Sequence, residues 1–382
     1  MSDIRESFNP LVPLALKGFR AMAGADGVFC HAARRGAGGG LKTAGRSYRY
    51  TAMSVVGLAM QERLGNTAGL PLDRCCDALV SWIEGGAPLG DAGLALWALS
   101  ARRDGRAEQV ARRLGEPALA GQVGAADSMA LGWLLAGLGA AGEEDSGGAA
   151  LRSLAGAACE ELFARQAGSG LFRLGSARFR KNVFAWRSAA RLASFASTVY
   201  PTIGLAYYAR AAGSAPALEA ARRAADALCR LQGPQGQWWW ICDAATGAPV
   251  VRYPVYSVHQ DGMGPMALLA VCLAGGPKDE YLRAAARSVA WLESRPELPG
   301  EPLIEPDRGA VWRAIQRDRP DRTGGFGLGR RERFRMNLAA WTGLPDTRPW
   351  STGYVCEECR PYHLGWILTA DAMAAGIRET FH

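Results

Sequence analysis

The chain has 382 residues, 49% of them apolar, which is enough to bury a sizeable core in two or three average domains or in one large repeat-built domain. Its formal net charge is +8, with lysine scarce beside arginine. That balance favours an anionic ligand or partner, while no nucleic-acid recognition motif accompanies it, so nucleic acid is not expected.

The first amphipathic helical pattern covers residues 10–22. A long connection, 24–47, leads to Tyr48, where a continuous apolar run begins. The same alternation then repeats along the chain. Amphipathic stretches over 72–84, 106–119, 149–166, 215–232 and 279–294 each precede an apolar run, and these runs open near Asp91, Asp127, Tyr200, His259 and Tyr362. In the stretch 215–232, Leu218, Ala221, Ala225, Leu228 and Cys229 make an apolar stripe, and Arg222, Arg223 and Asp226 fall off it. A helix that is apolar all round must be buried. Six buried helices wrapped by six amphipathic ones predict an all-α (α/α)6 toroid, a closed relative of the helical solenoids, with residues 1–382 as a single domain. The long connections 24–47, 233–258 and 295–361 all enter the N-terminal ends of inner helices, so they are expected to gather at one mouth of the ring.

Two outer helices end in matching signatures. Gln166-Ala-Gly-Ser-Gly170-Leu-Phe172 and Gln232-Gly-Pro-Gln-Gly236-Gln-Trp238 both read Gln, three residues, Gly, one residue, aromatic. The Gln amide is suited to cap backbone groups at the helix end, and the Gly to permit a tight turn. This motif resembles the repeat of terpenoid cyclases and protein prenyltransferases, which are α/α toroids. The six hairpins are similar to those of six-hairpin glycosidases and related epimerases and lyases. The acidic Asp-x-Asp-Asp and Asp-Asp-x-x-Asp motifs of terpenoid cyclases are absent. The Asp-x-Cys pair of the zinc-binding prenyltransferases is missing too.

The run from Tyr253 to Cys272 carries most of the candidate chemistry. His259, with an unperturbed pKa near 6.5, is a candidate acid or base, and Asp261 its partner. Both residue types also serve as plain helix caps. Tyr200-Pro201 and Tyr253-Pro254 are read as matching entries to inner helices four and five, and Tyr256 joins them as a possible catalytic phenol. Trp238 and Trp240, in a run of three tryptophans, offer ring faces to a sugar, and one of the three is expected to act as a hydrophobic plug. Arg49, Tyr50, Gln260, Tyr362 and His363 sit at inner-helix starts as substrate contacts. Asp91 and Asp127 are read either as N-caps or as members of the carboxyl pair that glycoside hydrolysis needs.

Positive charge concentrates in two loops. One carries Arg173, Arg178, Arg180, Lys181, Arg187 and Arg191, and the other runs from Arg308 and Arg313 to Arg335. Arginine suits bidentate contact with carboxylate or phosphate, so Arg187 and Arg313 are candidate anion ligands. Cys356-Glu-Glu-Cys359 with His363 has a zinc-like spacing, but it falls short of a paired structural pattern; no cofactor is expected, with zinc as the exception. The nine cysteines are odd in number and scattered, which fits reduced thiols. With no signal sequence after Met1 and no apolar run of roughly 20 residues, the expectation is a cytoplasmic protein without membrane insertion.

The resulting expectation is an enzyme acting by acid/base chemistry on an anionic carbohydrate, as hydrolase, lyase or epimerase, with a small-molecule or oligosaccharide substrate. An isoprenoid-processing enzyme holding a prenyl diphosphate is one alternative. A non-catalytic glycan- or protein-binding toroid is the other.

Overall fold

The computed structural model describes residues 4–142, 148–175, 189–295, 297–298, 300–316, 334, 338, 342, 344 and 353–381. Twelve helices carry the architecture. The odd-numbered ones are α1 (Leu11–Met22), α3 (Leu72–Glu84), α5 (Ala107–Leu114), α7 (Ala149–Arg165), α9 (Ala215–Leu231) and α11 (Asp279–Ser294). The even-numbered ones are α2 (Tyr48–Arg63), α4 (Leu89–Arg102), α6 (Ser128–Gly142), α8 (Phe195–Ala212), α10 (Gly264–Gly275) and α12 (Pro361–Phe381). Each even helix packs on the next even helix, and α12 closes back on α2. The odd helices lie outside. This is the (α/α)6 toroid that the alternating patterns predict.

The division follows from side-chain chemistry. Every residue of α4 from Leu89 to Ala101 is buried, because that helix is apolar on all sides. Helix α9 instead buries one stripe, Ala217, Ala220, Ala221, Ala224, Ala225 and Leu228. The stripe is centred on alanines, and Leu218 and Cys229, expected within it, lie half-buried at its edges. Small residues let the outer layer sit close.

The inner ring closes tightly because glycines meet backbone at the crossings. A Cβ on Gly132 of α6 would lie 2.3 Å from the carbonyl carbon of Tyr200 in α8, and one on Gly204 of α8 would lie 2.3 Å from the oxygen of Gly132. The helices touch main chain to main chain there, with no room for a side chain.

The Gln-x3-Gly-x-aromatic signatures tie each outer helix to the next. Gln166 Nε2 donates to the oxygens of Gly170 and Ala220, and Gln232 Nε2 donates to those of Gly236 and Ala284. One amide thus closes its own turn and bonds to the neighbouring outer helix. Gly170 and Gly236 have φ of 96° and 98° and press against the backbone of Arg223 and Arg287. The aromatic residues Phe172 and Trp238 are buried beneath.

The long connections contain short antiparallel strands that stitch loop to loop. Ala32–Arg35 pairs with Leu41–Ala44 on one side and with Glu358–Cys359 on the other. Val255–Tyr256 and Tyr354–Cys356 flank Ala314–Gln316. Strands of two to four residues are too short to show an alternating pattern in sequence.

Candidate functional site

The N-terminal ends of the inner helices deliver a cluster of polar and aromatic side chains to one mouth. On α2, Ser47 caps the helix, and Arg49 and Tyr50 occupy its first turn. Arg49 makes a bidentate pair with Asp91 of α4, Nε to Oδ1 at 2.8 Å and Nη2 to Oδ2 at 2.9 Å. Its guanidinium also lies 5.1 Å from the ring centre of Trp133 of α6. Asp127, immediately before α6, accepts from the Ala130 amide at 2.9 Å as an N-cap, and its charge acts on the same Arg49. Asp91 is 5% exposed, whereas Asp127 is half-buried and reached by solvent. Asp91 is thus locked on Arg49, and Asp127 lies near enough for its charge to act on the same guanidinium.

Beside them an aromatic wall forms. The Tyr50 ring stacks on His31 at 5.1 Å and lies tilted against Tyr362 at 4.7 Å. Its hydroxyl accepts from Arg360 Nη1 at 2.5 Å. Arg360 in turn donates to Glu358, to which Arg313 also donates, so one buried carboxylate holds two arginines. The Arg313 guanidinium lies 5.2 Å from the Tyr256 ring, and Trp240 meets that ring edge-on at 5.6 Å. Tyr50, Tyr256, Tyr362, Trp240 and Arg313 are all partly exposed. Burial, then the neighbouring Tyr50, push the Tyr362 phenol up to about 12, so it stays protonated and can donate a hydrogen bond.

Several expected site residues lie below this surface. His259 opens the π turn His259–Met263 that leads into α10, but it is 5% exposed and packed on Phe195 at 4.4 Å and on Tyr256 at 5.0 Å. Burial, then the charges of His363 and Arg313, lower its pKa to about 3, so the ring is neutral at physiological pH. Its Nδ1 has no hydrogen-bond partner among the described residues. Asp261 is fully buried, with both carboxylate oxygens 2.8 Å from His363 Nε2. Tyr253 is 2% exposed and Tyr200 3%. The Tyr200 hydroxyl accepts from Trp366 Nε1 at 2.9 Å, and burial holds the phenol protonated.

Other expectations need correction. Tyr200-Pro201 and Tyr253-Pro254 do not occupy matching places. Helix α8 begins at Phe195, five residues earlier than expected, so Tyr200 and Pro201 lie inside it, whereas Tyr253-Pro254 is a cis step in the loop ahead of α10. The missed signal was Ser194 with Ser197, which form a reciprocal capping box. Gln260, expected to contact substrate, is fully buried; it donates to the oxygens of Tyr256 and Trp238 and accepts from the Trp238 amide. Trp238 is the plug of its triplet, buried with Nε1 on the Leu228 carbonyl, and only Trp240 reaches the mouth. Cys356, Cys359 and His363 do not converge: no group of three His, Cys, Asp or Glu among the described residues could hold a metal ion. The reason is that His363 turns inward to Asp261. Arg187, and the basic residues Arg178, Arg180, Lys181 and 317–335, lie outside the described residues.

Sequence reading missed His31, Trp133 and Arg360 as mouth residues. Each reaches the cluster through a partner remote in sequence; Arg360 lies within the Cys356–His363 stretch, whose spacing pointed to metal ligands and not to the arginine.

No family model matches this sequence, and no curated protein does. Solved structures do match. The unsaturated glucuronyl hydrolase of Bacillus sp. GL1, described as responsible for the degradation of glycosaminoglycan, aligns with a TM-score of 0.59 at 13% identity, over 96% of this chain and 96% of that one. The unsaturated glucuronyl hydrolase of Streptococcus agalactiae gives 0.56 at 10% identity, over 97% and 90%. A Salmonella enterica protein described as a possible member of the GH105 family gives 0.55 at 12%, over 99% and 95%. The chain shares the (α/α)6 toroid fold of these structures. At these identities the likeness is one of fold, and the toroid's chemistry rests on its own mouth.

The buried histidine makes the toroid acid-sensitive in a calculable way. Above pH 6.5 His259 is neutral in both folded and unfolded chains, and its stability contribution is fully present. Below 6.5 the unfolded chain takes up a proton that the folded one refuses until about pH 3, so stability is lost as pH falls. From neutral pH to about pH 5 the expected loss is ~2 kcal/mol. Asp261, whose pKa burial raises, contributes with the opposite sign, so a difference between variants is the clean measurement. His259→Phe should flatten the decline by that amount in urea unfolding midpoints; parallel declines for both proteins would refute the assignment.

Proposed function

We propose that this protein is a glycan-active enzyme working by acid/base chemistry on an anionic carbohydrate at the N-terminal mouth. The observation that carries the reading is the Arg49–Asp91–Asp127 arrangement beside an aromatic wall. Asp91, clamped in two hydrogen bonds, fixes Arg49. Asp127 is the carboxyl open to solvent and is the group to pass a proton to or from the glycosidic oxygen or water. Sugar rings have C–H faces that pack on aromatic planes, which suits Tyr50, Tyr256 and Trp240. Arg313 and Arg360, held by Glu358, supply positive charge for a uronate carboxylate. The fold relatives named as unsaturated glucuronyl hydrolases make an unsaturated uronyl oligosaccharide the first substrate to try.

The test is a turnover assay on unsaturated uronyl disaccharides prepared from glycosaminoglycans, following the loss of ultraviolet absorbance as the unsaturated ring is released. Neutral disaccharides and a prenyl diphosphate serve as comparisons. Turnover restricted to the uronyl substrates is expected. In that assay Arg313→Gln should raise KM about tenfold with a smaller change in kcat, because it removes binding of the charged group more than transition-state stabilisation. Turnover of the prenyl diphosphate, or equal turnover of neutral sugars, would overturn the reading.

A further inference from the structure

One acid at the N-terminal mouth is arranged unlike an ordinary buried ion pair. Glu358, in the short strand Glu358–Cys359, is fully buried. Its Oε1 accepts from Arg360 Nε at 2.5 Å and from Arg313 Nη1 at 3.3 Å. Its main-chain oxygen accepts from the Arg313 amide at 2.8 Å, so the backbone also holds Arg313 beside it. The other carboxylate oxygen, Oε2, is buried with no hydrogen-bond partner among the described residues. Arg34 Nη2 stands 4.0 Å from it, on a side chain that is 46% exposed.

Neither Arg313 nor Arg360 pairs with another acid among the described residues. Arg360 gives Nη1 to the Tyr50 hydroxyl, and Arg313 lies over the Tyr256 ring. Both side chains reach the mouth, 10% and 14% exposed. His31, stacked on Tyr50, adds no charge at neutral pH, because burial and then Arg360 hold its pKa below the usual histidine value. One carboxylate shared by two guanidiniums offsets one of their charges. A buried pair is weak evidence for stability, since apolar replacements are often neutral or stabilising. A carboxylate oxygen left unbonded costs free energy as well. What Glu358 does supply is a negative charge behind two cations that face the ligand.

We propose that Glu358 is a specificity-determining residue that limits how much negative charge a ligand brings to Arg313 and Arg360. It favours one charge, as on a carboxylate or sulfate monoester, over two, as on a phosphate monoester. Glu358 acts through the arginines and positions them. The inference rests on the anionic-carbohydrate reading of this mouth and narrows it.

Glucose 6-sulfate and glucose 6-phosphate have nearly the same shape, and the phosphate carries about −1.5 to −2 at pH 7 against a single charge on the sulfate. In calorimetric titration of the full chain, glucuronate and glucose 6-sulfate are expected to bind more tightly than glucose 6-phosphate. Arg313→Gln should weaken all three about tenfold, which places the binding at this mouth. Glu358→Gln keeps the size of the side chain and an acceptor oxygen for the arginines. It should move the phosphate-to-sulfate affinity ratio about tenfold toward the phosphate. A purely structural role would change both affinities together and leave the ratio alone. The parent protein gives a second measurement that needs no variant. The phosphate has a second pKa of about 6, so its binding relative to the sulfate should strengthen as pH falls from about 7.5 to about 5.5. The sulfate does not titrate there and reports any titration of the protein, such as that of His31. Tighter binding of the phosphate than of the sulfate by the parent, no binding of any of the three anions, binding insensitive to Arg313→Gln, or a ratio unmoved in Glu358→Gln would overturn the proposal. Failure of the enzymatic reading is a separate result, seen as absent uronyl turnover while these binding ratios hold.

Discussion

Asp127→Asn is expected to lower kcat on an unsaturated uronyl disaccharide by ~10²–10⁴-fold, with KM little changed, the range over which a positioned general acid or base contributes. The amide is nearly isosteric and can still accept the Ala130 amide, so the cap on α6 is kept and the helix should fold normally. What is lost is the carboxyl proposed to pass a proton at the reacting bond. Asp91→Asn should behave differently. It breaks a bidentate pair and leaves Arg49 with a poorer partner, so a fall in melting temperature should accompany any fall in rate. Equal rates for Asp127→Asn and parent, at saturating substrate, would remove Asp127 from the mechanism. A large rate loss in His259→Phe with none in Asp127→Asn would return the chemistry to the buried histidine.

The largest expected effect on stability comes from one methyl group. Gly132→Ala places a Cβ 2.3 Å from the Tyr200 carbonyl carbon and 2.5 Å from Pro201 nitrogen, well inside van der Waals contact with main chain that cannot rotate away. Helices α6 and α8 must separate, and the ring on either side with them. A loss of ~3 kcal/mol is expected, at the upper end for overpacking in a close-packed core. Gly156→Ala is the matched control. It lies within α7 with nothing near its would-be Cβ, and it should stabilise by ~0.5–1 kcal/mol through helix propensity. Urea unfolding of both variants checks the pair. Similar stabilities would mean that the inner ring tolerates more space than the crossing at Gly132 allows.

Part of the site was legible in the sequence and part was not. The twelve helices were readable because hydrophobic periodicity is a local property: Leu89 to Ala101 is apolar on every side, whatever it packs against. The Gln-x3-Gly-x-aromatic turns were readable for the same reason, since the amide, the left-handed glycine and the ring lie within seven residues of one another. Helix order together with the unequal connections was enough to gather polar groups at one mouth, and Arg49, Tyr50, Asp91, Asp127, Tyr256 and Tyr362 do meet there.

Depth within the mouth was not readable. His259 and Tyr256 are three residues apart, yet one is buried on Phe195 and the other faces solvent beside Trp240. That difference is set by helices contributed from elsewhere in the ring. The clamp of Arg360 on Tyr50 spans 310 residues, and His363 reaches Asp261 across 102, so neither leaves a trace in local spacing. The sequence by itself determined the alternating helices and the ring they must close, because burying an apolar surface admits few arrangements. Only the tertiary structure decided which ionisable groups meet water and which are sealed beneath it, because solvent access at a residue depends on every segment that packs over it.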